Sequence, residues 1–223
     1  GPITSNASVS VGSIVGSPNN YVFTFPTTTA ALLAAHHVGV VDMGNNHVTN
    51  FGRTGVQQTR QALAASGVGY FGGVLGDEPV YRTSVGGTPF SFVSYNQFGG
   101  QTPEAVAKVV AAEHVSGRTV VVFAHWGDEY SYSTKTTAPS ATLFVKSGAA
   151  LVVGAHPHIV LPRDASAGVP VYYSLGNFIF DQYWSPAVSH GLVLVVTFQN
   201  GMASVEEHPV TLDRTGRTCP TER

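Results

Sequence analysis

Apolar runs that end in a polar loop recur along the chain. The runs at 38–43, 119–124 and 149–153 are rich in valine and alanine, and each is followed by a loop that contains histidine. Continuous apolar runs of this length, bounded by turn residues, are typical of strands buried on both faces of a sheet. The pattern therefore predicts three buried strands whose carboxyl ends carry polar side chains.

Segments of good helix formers separate these strands, and alternating apolar residues mark two hairpins turned at Gly86-Gly87 and Asn200-Gly201. The pattern predicts helices over 27–36, 52–67, 103–114 and 140–148, further strands over 21–25, 68–72 and 169–175, and a surface loop over 1–20. This order predicts a mixed α/β protein with helices outside the sheet. We expect a single domain over 1–212 and a polar tail over 213–223.

Composition limits the classes of partner. Hydrophobic residues make up 43% of the 223 residues, which is typical of a folded globule, whereas charged residues make up only 11%. Because the formal net charge is −2 and no basic run occurs, we expect no nucleic-acid or anionic-membrane partner. The single cysteine, Cys219, has no partner for an internal disulfide, and no apolar stretch approaches the roughly 20 residues of a transmembrane helix. The low lysine and glutamate content predicts an extracytoplasmic or cell-surface protein of a bacterium.

Four of the nine histidines follow directly on predicted buried strands, namely His47, His125, His156 and His158. The carboxyl edge of an α/β sheet is where such proteins place their ligand sites, and loops there can bring several imidazoles to one point. Neutral imidazole is a common ligand of zinc, manganese and iron. The pattern therefore favours a divalent-metal site, with Mn, Fe or Zn as the ion. The alternative is that each histidine hydrogen-bonds a neighbouring backbone group.

The loop Gly-Asn-Asn-His suggests different roles for two neighbouring residues. Asn46 can offer a neutral amide oxygen to a metal, and His47 would then lie beside that metal without binding it. Such a histidine can act as a general acid, protonating the leaving atom in a hydrolysis while a metal-activated water attacks. The alternative is a turn in which the asparagines serve only to tolerate positive φ angles.

The chain contains four further blocks in this order: GNNHVTNFGRTGVQQT, HWGDEY, GAHPH and YYSLGNFIFD. They resemble the CapA family of poly-γ-glutamate capsule-synthesis proteins, a branch of the calcineurin-like metallophosphatase superfamily, over nearly the whole chain. The resemblance implies a four-layer α/β/β/α sandwich with its metal centre at the carboxyl edges of two sheets. It implies that Asn46, His125 and His156 hold one metal, that His158 helps hold a second, and that His47 is the acid or contacts phosphate.

Two blocks of that family are absent. An aspartate that ends the first strand and binds metal, and the glutamate of an Asn-Leu-Glu block expected to bridge two metals, would precede the segment 2–4. The resemblance therefore implies an N-terminally incomplete domain whose dinuclear site needs upstream ligands. Three explanations stay open: a separate N-terminal fragment completes the fold, the missing part lies outside these 223 residues, or a truncated form holds one metal or none.

Other residues have supporting roles by resemblance. Glu129 and Tyr130 would touch substrate or orient an imidazole, with a polar surface loop as the alternative. Asp181 and Asn177 are expected to anchor loops beneath the metal. Asn45 belongs to the same supporting group or contacts substrate.

Three other positions either have no supporting role at the site or differ from the family pattern, namely Asp42, Leu161 and Pro162. Asp42 is interpreted as structural, although it is the carboxylate nearest in sequence to the Gly-Asn-Asn-His loop. After His158, Leu161 and Pro162 stand where the family has glutamine, and Asp164 is the acidic candidate nearby.

Two functions follow from these residues. The first is a metal-dependent hydrolase of a phosphoester or amide bond in poly-γ-glutamate or another cell-envelope polymer, using metal-bound hydroxide and the acid His47. Glu129 is its second candidate catalytic residue. The alternative is a non-catalytic accessory protein that binds or guides an anionic polymer, although a guide for a polyanion would be expected to carry a basic stripe.

Overall fold

The computed structural model describes residues 1–10, 12–14 and 17–221. The helices are α1 Thr29–Ala35, α2 Gly52–Ala65, α3 Pro103–Val115 and α4 Ala138–Lys146, with short 3-10 helices at Pro18–Tyr21 and Pro186–Ser189. The strands are β1 Val40–Asp42, β2 Gly69–Phe71, β3 Val80–Val85, β4 Thr88–Asn96, β5 Thr119–His125, β6 Ala149–Ala155, β7 Arg163–Ser166, β8 Val169–Tyr172, β9 His190–Gln199, β10 Met202–Leu212 and β11 Thr218–Pro220. The predicted mixed α/β class is confirmed.

A six-stranded sheet in the order β3-β4-β5-β6-β8-β7 forms the centre. Its four inner strands run parallel, and the outer strands β3 and β7 pair antiparallel with their neighbours. The carboxyl ends of β4, β5 and β6 therefore meet at one edge, where Asn96 lies opposite His125 and His125 opposite Ala155. This edge is the one that the histidine pattern selects as the ligand site.

Helices α3 and α4 cover one face of this sheet. Their buried residues Val110 and Phe144 pack against Val122 and Val152 of the central strands, all of them fully buried. Valine suits such strands because its branched side chain packs well on a pleated surface. Burial on both faces explains why β5 and β6 read in the sequence as continuous apolar runs.

The opposite face of the sheet is covered by two smaller sheets. The antiparallel sheet β11-β10-β9 packs Phe198 on Phe90, with 5.2 Å between the ring centroids. The parallel pair β1-β2 packs Phe71 on Phe123 at 5.9 Å. An apolar groove of about 590 Å³ lies between this face and β9. We call it the β9 groove; it is lined by aromatic and aliphatic side chains, among them Phe92.

Helices α1 and α2 pack on β1 and β2 to form a second core. Val56 and Leu63 of α2 are buried there with Met43 and Val48, which flank the Asn-Asn-His loop. The buried hydroxyl of Thr59 accepts a hydrogen bond from the N–H of Ile3 at 2.9 Å. The loop that carries Asn46 is therefore held between a packed core and the edge of the central sheet.

Most predicted elements are confirmed, and the exceptions have local causes. The strand predicted over 21–25 is wrong, because Tyr21 ends a 3-10 helix that Pro18 begins, and only Phe25 makes a bridge, to Ile3. Strand β7 was not predicted because its sequence, Arg-Asp-Ala-Ser, shows no apolar alternation. The segment predicted as a polar tail contains β11, which pairs with β10. No helix in the described part of the chain is long and apolar enough to cross a membrane.

Candidate metal centre

Asn46, His47, His125 and His158 line one cavity of about 930 Å³ at the carboxyl edge of the central sheet, and the ring of the remaining predicted ligand, His156, lies next to that of His125. Asn46 and His47 reach it from the loop after β1, His125 is the last residue of β5, and His158 lies in the loop after β6. Residues more than a hundred positions apart in the sequence thus line the same cavity. The cavity opens beside the loop that carries Tyr130 and the segment that carries Trp184.

Three of the imidazoles lie side by side. The ring centroids of His125 and His156 are 4.9 Å apart, and those of His156 and His158 are 6.2 Å apart. His156 and His158 both have positive φ angles, 100° and 61°, on either side of Pro157. A non-glycine residue in this region costs on the order of 1–3 kcal/mol, and such strain clusters at ligand sites. The backbone therefore holds both rings in place at a cost in stability.

Asn46 and His125 approach each other as two ligands of one ion would. Nε2 of His125 lies 3.1 Å from Oδ1 of Asn46, so in the metal-free protein the ring N–H donates to the amide oxygen. Both atoms are of a kind that Mn, Fe or Zn accept, so the two side chains would hold one such ion together once the proton of His125 moves from Nε2 to Nδ1.

His156 contains a buried polar atom without a partner. Its Nδ1 is shielded from solvent and makes no hydrogen bond within the described chain, and the ring of Phe98 lies 4.5 Å away. An unsatisfied buried nitrogen costs about 1–3 kcal/mol. In a folded protein such an atom calls for a specific explanation, and an absent ligand is one.

A chain of hydrogen bonds sets the tautomer of His158. The amide nitrogen of Asn177 donates to the carbonyl of Val188 at 2.9 Å and to Oε1 of Gln182 at 3.3 Å. Its oxygen is therefore the acceptor that lies 2.8 Å from Nδ1 of His158, and Nδ1 carries the proton. Nε2 of His158 is left with its lone pair, which is the form that binds metal.

Gln182 extends this chain to the rim of the cavity. It is buried, and its amide nitrogen donates to the Tyr130 hydroxyl at 2.9 Å. The Tyr130 hydroxyl in turn interacts with the Glu129 carboxylate. Sequence reasoning missed Gln182, because a glutamine in an irregular segment carries no signal without its contacts. It did find Asn177, Tyr130 and Glu129, which the structure brings together here.

The pKa values of two imidazoles are strongly lowered. Burial, followed by the neighbouring imidazoles, lowers the pKa of His125 from 6.5 to about 3. Burial also lowers the pKa of His156 to about 4, and the charges of His158 and His47 add to this. Both rings are neutral at pH 7, the state in which imidazole binds a metal ion.

His47 is held beside this cluster. Its Nδ1 lies 3.3 Å from the amide nitrogen of Asn50, which also donates to the carbonyl of Tyr21 at 3.0 Å. The edge of Phe23 contacts the His47 ring at 4.6 Å between centroids. Burial lowers the pKa of His47. The ring is held by Asn50 of its own loop and by Phe23 of another segment, and it lines the cavity.

Asp42 also lines the cavity, although it was interpreted as structural. Its carboxylate accepts hydrogen bonds from the N–H of Gly44 and the hydroxyl of Ser94, both at 2.8 Å. Burial raises the pKa of Asp42 from 3.8 to about 7, against the effect of these two hydrogen bonds. A Cβ added to Gly44 would meet the Ser94 hydroxyl at 2.3 Å, so this close approach requires glycine.

The other predicted site residues differ in where they lie. Asn45 lines the cavity, and its side-chain oxygen accepts from the N–H of His47 at 2.9 Å, which fixes the turn before His47. Glu129 and Asp181 are exposed and line the cavity near its mouth. Asp164 lies on β7, where its carboxylate accepts from the N–H of Ala165.

The donor set fits part of a metal site. Asn46, His125 and His156 supply an amide oxygen and two neutral imidazoles, a set suited to Mn, Fe or Zn. Within the described ranges, however, no three side chains of His, Cys, Asp or Glu are arranged to hold an ion by themselves. A complete coordination sphere therefore needs further oxygen donors beside the imidazoles.

The sequence matches the model of the bacterial capsule synthesis protein family, PGA_cap, over residues 6–182. This match includes Asn46 and the four histidines of the predicted site, His47, His125, His156 and His158. The chain belongs to the PGA_cap family.

Curated proteins with similar sequences show what the chain resembles. It is 27% identical over 195 residues to the PGA biosynthesis protein CapA of Bacillus subtilis and 29% identical over 195 residues to the capsule biosynthesis protein CapA of Bacillus anthracis. Each alignment covers 78% of this chain, and 50% and 47% of the two relatives. A probable polyglutamine synthesis accessory protein of Mycobacterium tuberculosis is 26% identical over 183 residues, which cover 67% of this chain and 47% of the relative. The chain thus spans about half the length of these relatives.

Proposed function

We propose that this chain belongs to a metal-dependent hydrolase acting on a phosphoester or amide bond in capsule poly-glutamate or another cell-envelope polymer. The supporting observation is the approach of Oδ1 of Asn46 to Nε2 of His125, beside the ring of His156, whose buried Nδ1 makes no hydrogen bond within the described residues. These three side chains would hold the ion, and Nε2 of His158 is a further donor. When bound, Mn, Fe or Zn would supply Lewis-acid activation of water and of the scissile group.

His47 is the proposed acid. It faces the cavity and is held by Asn50 and Phe23, and once protonated to imidazolium it would give a ring proton to the leaving atom. Burial lowers the pKa of His47, so this role requires a bound anionic substrate that favours the protonated ring. Glu129 has an indirect role in this proposal, because its carboxylate interacts with the Tyr130 hydroxyl rather than with an imidazole. Through Gln182 and Asn177 this contact supports the orientation of His158.

We further propose that an additional strand, outside these 223 residues, fills the β9 groove. Strand β1 pairs only with β2 among the described strands, and β9 pairs in a ladder only with β10, so both have free edges. A strand with alternating apolar residues would cover Phe92 and Phe123, and it would join the two small sheets into one. The outcome would be the four-layer α/β/β/α sandwich, and the end of that strand could bring the missing carboxylate ligands to the cavity.

Metal content and turnover test the proposal. The purified chain, and a longer natural protein that contains it, are loaded with Mn²⁺ and assayed on a chromogenic phosphodiester. We expect His47→Ala to lower turnover by about 10²–10⁴-fold, the usual contribution of a general acid, without changing the metal content. His208→Ala, on the exposed side of β10, is the matched control. Full turnover by the His47 variant would exclude the proposed acid.

A non-catalytic accessory role is the second candidate, and the name of the Mycobacterium tuberculosis relative, a probable accessory protein, favours it. That role predicts stoichiometric binding of poly-γ-glutamate by the metal-loaded protein with no hydrolysis of the polymer. Equilibrium binding and product analysis on the same sample separate the two candidates. An extracytoplasmic location is a prediction shared by both.

A further inference from the structure

The turn that joins β10 to β11 packs on the segment beside which the cavity opens. In this contact the Thr218 hydroxyl donates to the carbonyl of Phe178, and Nη2 of Arg214 donates to the carbonyl of Tyr183 at 3.2 Å. The next residue, Trp184, lines the cavity. The Tyr183 carbonyl and the Trp184 nitrogen belong to one peptide unit, so Nη2 of Arg214 lies within about 6 Å of that nitrogen. An exposed arginine therefore lies beside the cavity mouth.

Arg214 differs from the other arginines of the described residues in having no ion pair there. The other six each pair with a carboxylate, namely Arg53, Arg60, Arg82, Arg118, Arg163 and Arg217. A guanidinium carries five N–H donors in a planar fork, and one hydrogen bond to the Tyr183 carbonyl leaves most of them for a ligand. Arg214 therefore offers a positive charge that its own described surroundings do not neutralise.

The carboxylate next to Arg214 in the sequence, Asp213, is engaged within its own turn. Its Oδ1 accepts hydrogen bonds from the N–H of Thr215 at 2.8 Å and of Arg217 at 3.1 Å, and its Oδ2 accepts from the Arg217 side chain at 3.3 Å. The Thr215 hydroxyl, followed by the Arg217 N–H, lowers the pKa of Asp213 from 3.8 to about 2. The turn is thus closed by Asp213 and Arg217, which leaves Arg214 without a neighbouring acid.

An acidic polymer would need a positive charge of this kind at the cavity mouth. The described residues that line the cavity include the carboxylates of Glu129 and Asp181 but no lysine or arginine. These two groups repel a polymer that bears a carboxylate on every residue. A guanidinium beside the mouth offsets that repulsion at one position, and it can hold a carboxylate through two parallel N–H···O hydrogen bonds. The placement of Arg214 therefore suits a carboxylate of the ligand.

We propose that Arg214 binds a carboxylate of an acidic polymer at the point where the polymer leaves the cavity past Trp184. Arg214 then determines specificity, because a polymer with no acidic group at that position loses the ion pair. The inference rests on the proposed function for the cavity and for the polymer, but carboxylate binding itself requires neither metal nor turnover. It adds to the site a residue from the segment that the sequence predicted as a polar tail.

Calorimetric titration with an oligomer of γ-glutamate tests this inference, on the same proteins as above and both with and without Mn²⁺. At low salt, Arg214→Gln should weaken binding by about three- to tenfold, and Arg214→Lys should weaken it less, because it keeps the charge but not the planar fork. With the oligomer's carboxylates methylated, the parent and Arg214→Gln should not differ. Lys146→Gln is the matched control, because it removes the same exposed charge at the end of α4, just before β6 and far from the carboxyl edge.

Turnover separates a binding role from a structural one. Where the γ-glutamate oligomer is hydrolysed, Arg214→Gln should raise its KM with kcat unchanged, and turnover of the chromogenic phosphodiester, which bears no carboxylate, should stay at the level of the parent. Equal binding of the oligomer by the parent and Arg214→Gln, an equal loss in Lys146→Gln, or no binding by the parent at millimolar concentration would each overturn the inference. A loss confined to Arg214→Gln, in a protein that takes up no metal and hydrolyses nothing, would support the inference and count against the proposed hydrolase alone.

Discussion

The two edges of the central sheet carry buried polar clusters of opposite kinds. At the amino edge, the Glu113 carboxylate accepts from Arg82 at 2.6 and 3.0 Å and from the Ser91 hydroxyl at 2.6 Å, and Arg118 lies 3.9 Å away. The charge of the buried carboxylate is balanced, and hydrogen bonds lower its pKa. The described groups of this cluster therefore satisfy one another without a ligand.

At the carboxyl edge of the same strands, polar groups lack partners of the opposite charge. His125 and His156 are neutral, Nδ1 of His156 makes no hydrogen bond in the described chain, and the pKa of Asp42 is raised to about 7. Buried polar groups are normally satisfied, and groups with strongly perturbed pKa values cluster at functional sites. Burial of polar groups alone therefore does not mark a functional site, because both edges of the sheet bury them. The carboxyl edge differs because its buried polar groups are unsatisfied and lie at a cavity.

The largest effect is expected from a substitution in the histidine cluster at the carboxyl edge. His156→Gly removes the unpartnered imidazole while suiting the φ of 100° at this position. We expect affinity for Mn²⁺ or Zn²⁺ to fall at least about 100-fold, measured by calorimetry and by metal content after dialysis. His208→Ala is the control. Unchanged metal affinity in the His156 variant would remove this residue from the proposed ligands.

The second largest effect is a loss of stability, expected from a substitution in the polar cluster at the amino edge. Glu113→Ala leaves Arg82, Ser91 and Arg118 without their shared acceptor, and we expect the free energy of unfolding to fall by about 2 kcal/mol at pH 7. Because the pKa of Glu113 is lowered in the folded state, its stabilisation is present above its ordinary pKa and is lost as the pH falls through the folded value. The difference in stability between the parent and the variant, measured by urea unfolding, should therefore narrow as the pH falls below the ordinary pKa of a glutamate. Metal affinity should stay unchanged, in contrast with His156→Gly.

The third effect concerns the uncompensated carboxylate of Asp42. Because its pKa is raised from 3.8 to about 7 in the folded protein, its favourable contribution is complete below pH 4 and is lost as the pH rises through 7. Asp42→Asn does not titrate and can keep the hydrogen bonds from Gly44 and Ser94. We expect the metal-free variant to be about 1 kcal/mol more stable than the parent at pH 8, a modest figure because Asp42 is only partly buried. The difference should disappear at pH 4; a constant difference across this range would contradict the raised pKa.

The smallest effect is expected at Gln182, which helps to orient His158 at the carboxyl edge. Gln182→Met keeps the volume but cuts the hydrogen-bond chain between Tyr130 and Asn177, so the orientation of His158 is less well fixed. We expect metal affinity to fall about threefold, and NMR of the ring nitrogens to show a mixture of His158 tautomers in place of the Nδ1–H form alone. Gln199→Met, at the exposed end of β9, is the matched control. A single unchanged tautomer in the Gln182 variant would show that Asn177 suffices.

The strands and helices of the central sheet were predictable because their signals are local. The valine-rich runs of β5 and β6, the helix formers of α2 and the turn at Gly86-Gly87 act through periodicity and backbone preference within a few residues. The segment 21–25 misled for the same reason. It has the composition of a strand, but no described neighbouring strand pairs with it beyond the bridge of Phe25 with Ile3.

Local signals in the sequence place His125, His156 and His158 at or just after the ends of two buried strands, because strand length and side-chain type are properties of consecutive residues. Tertiary packing sets the contacts that the sequence does not reveal: Asn46 meets His125, Gln182 donates to the Tyr130 hydroxyl, and the ring of Trp184 meets that of Tyr130. These contacts join residues far apart in the chain, and their distances depend on how the sheets and loops pack. The same packing left one sheet edge balanced and the other open to a ligand.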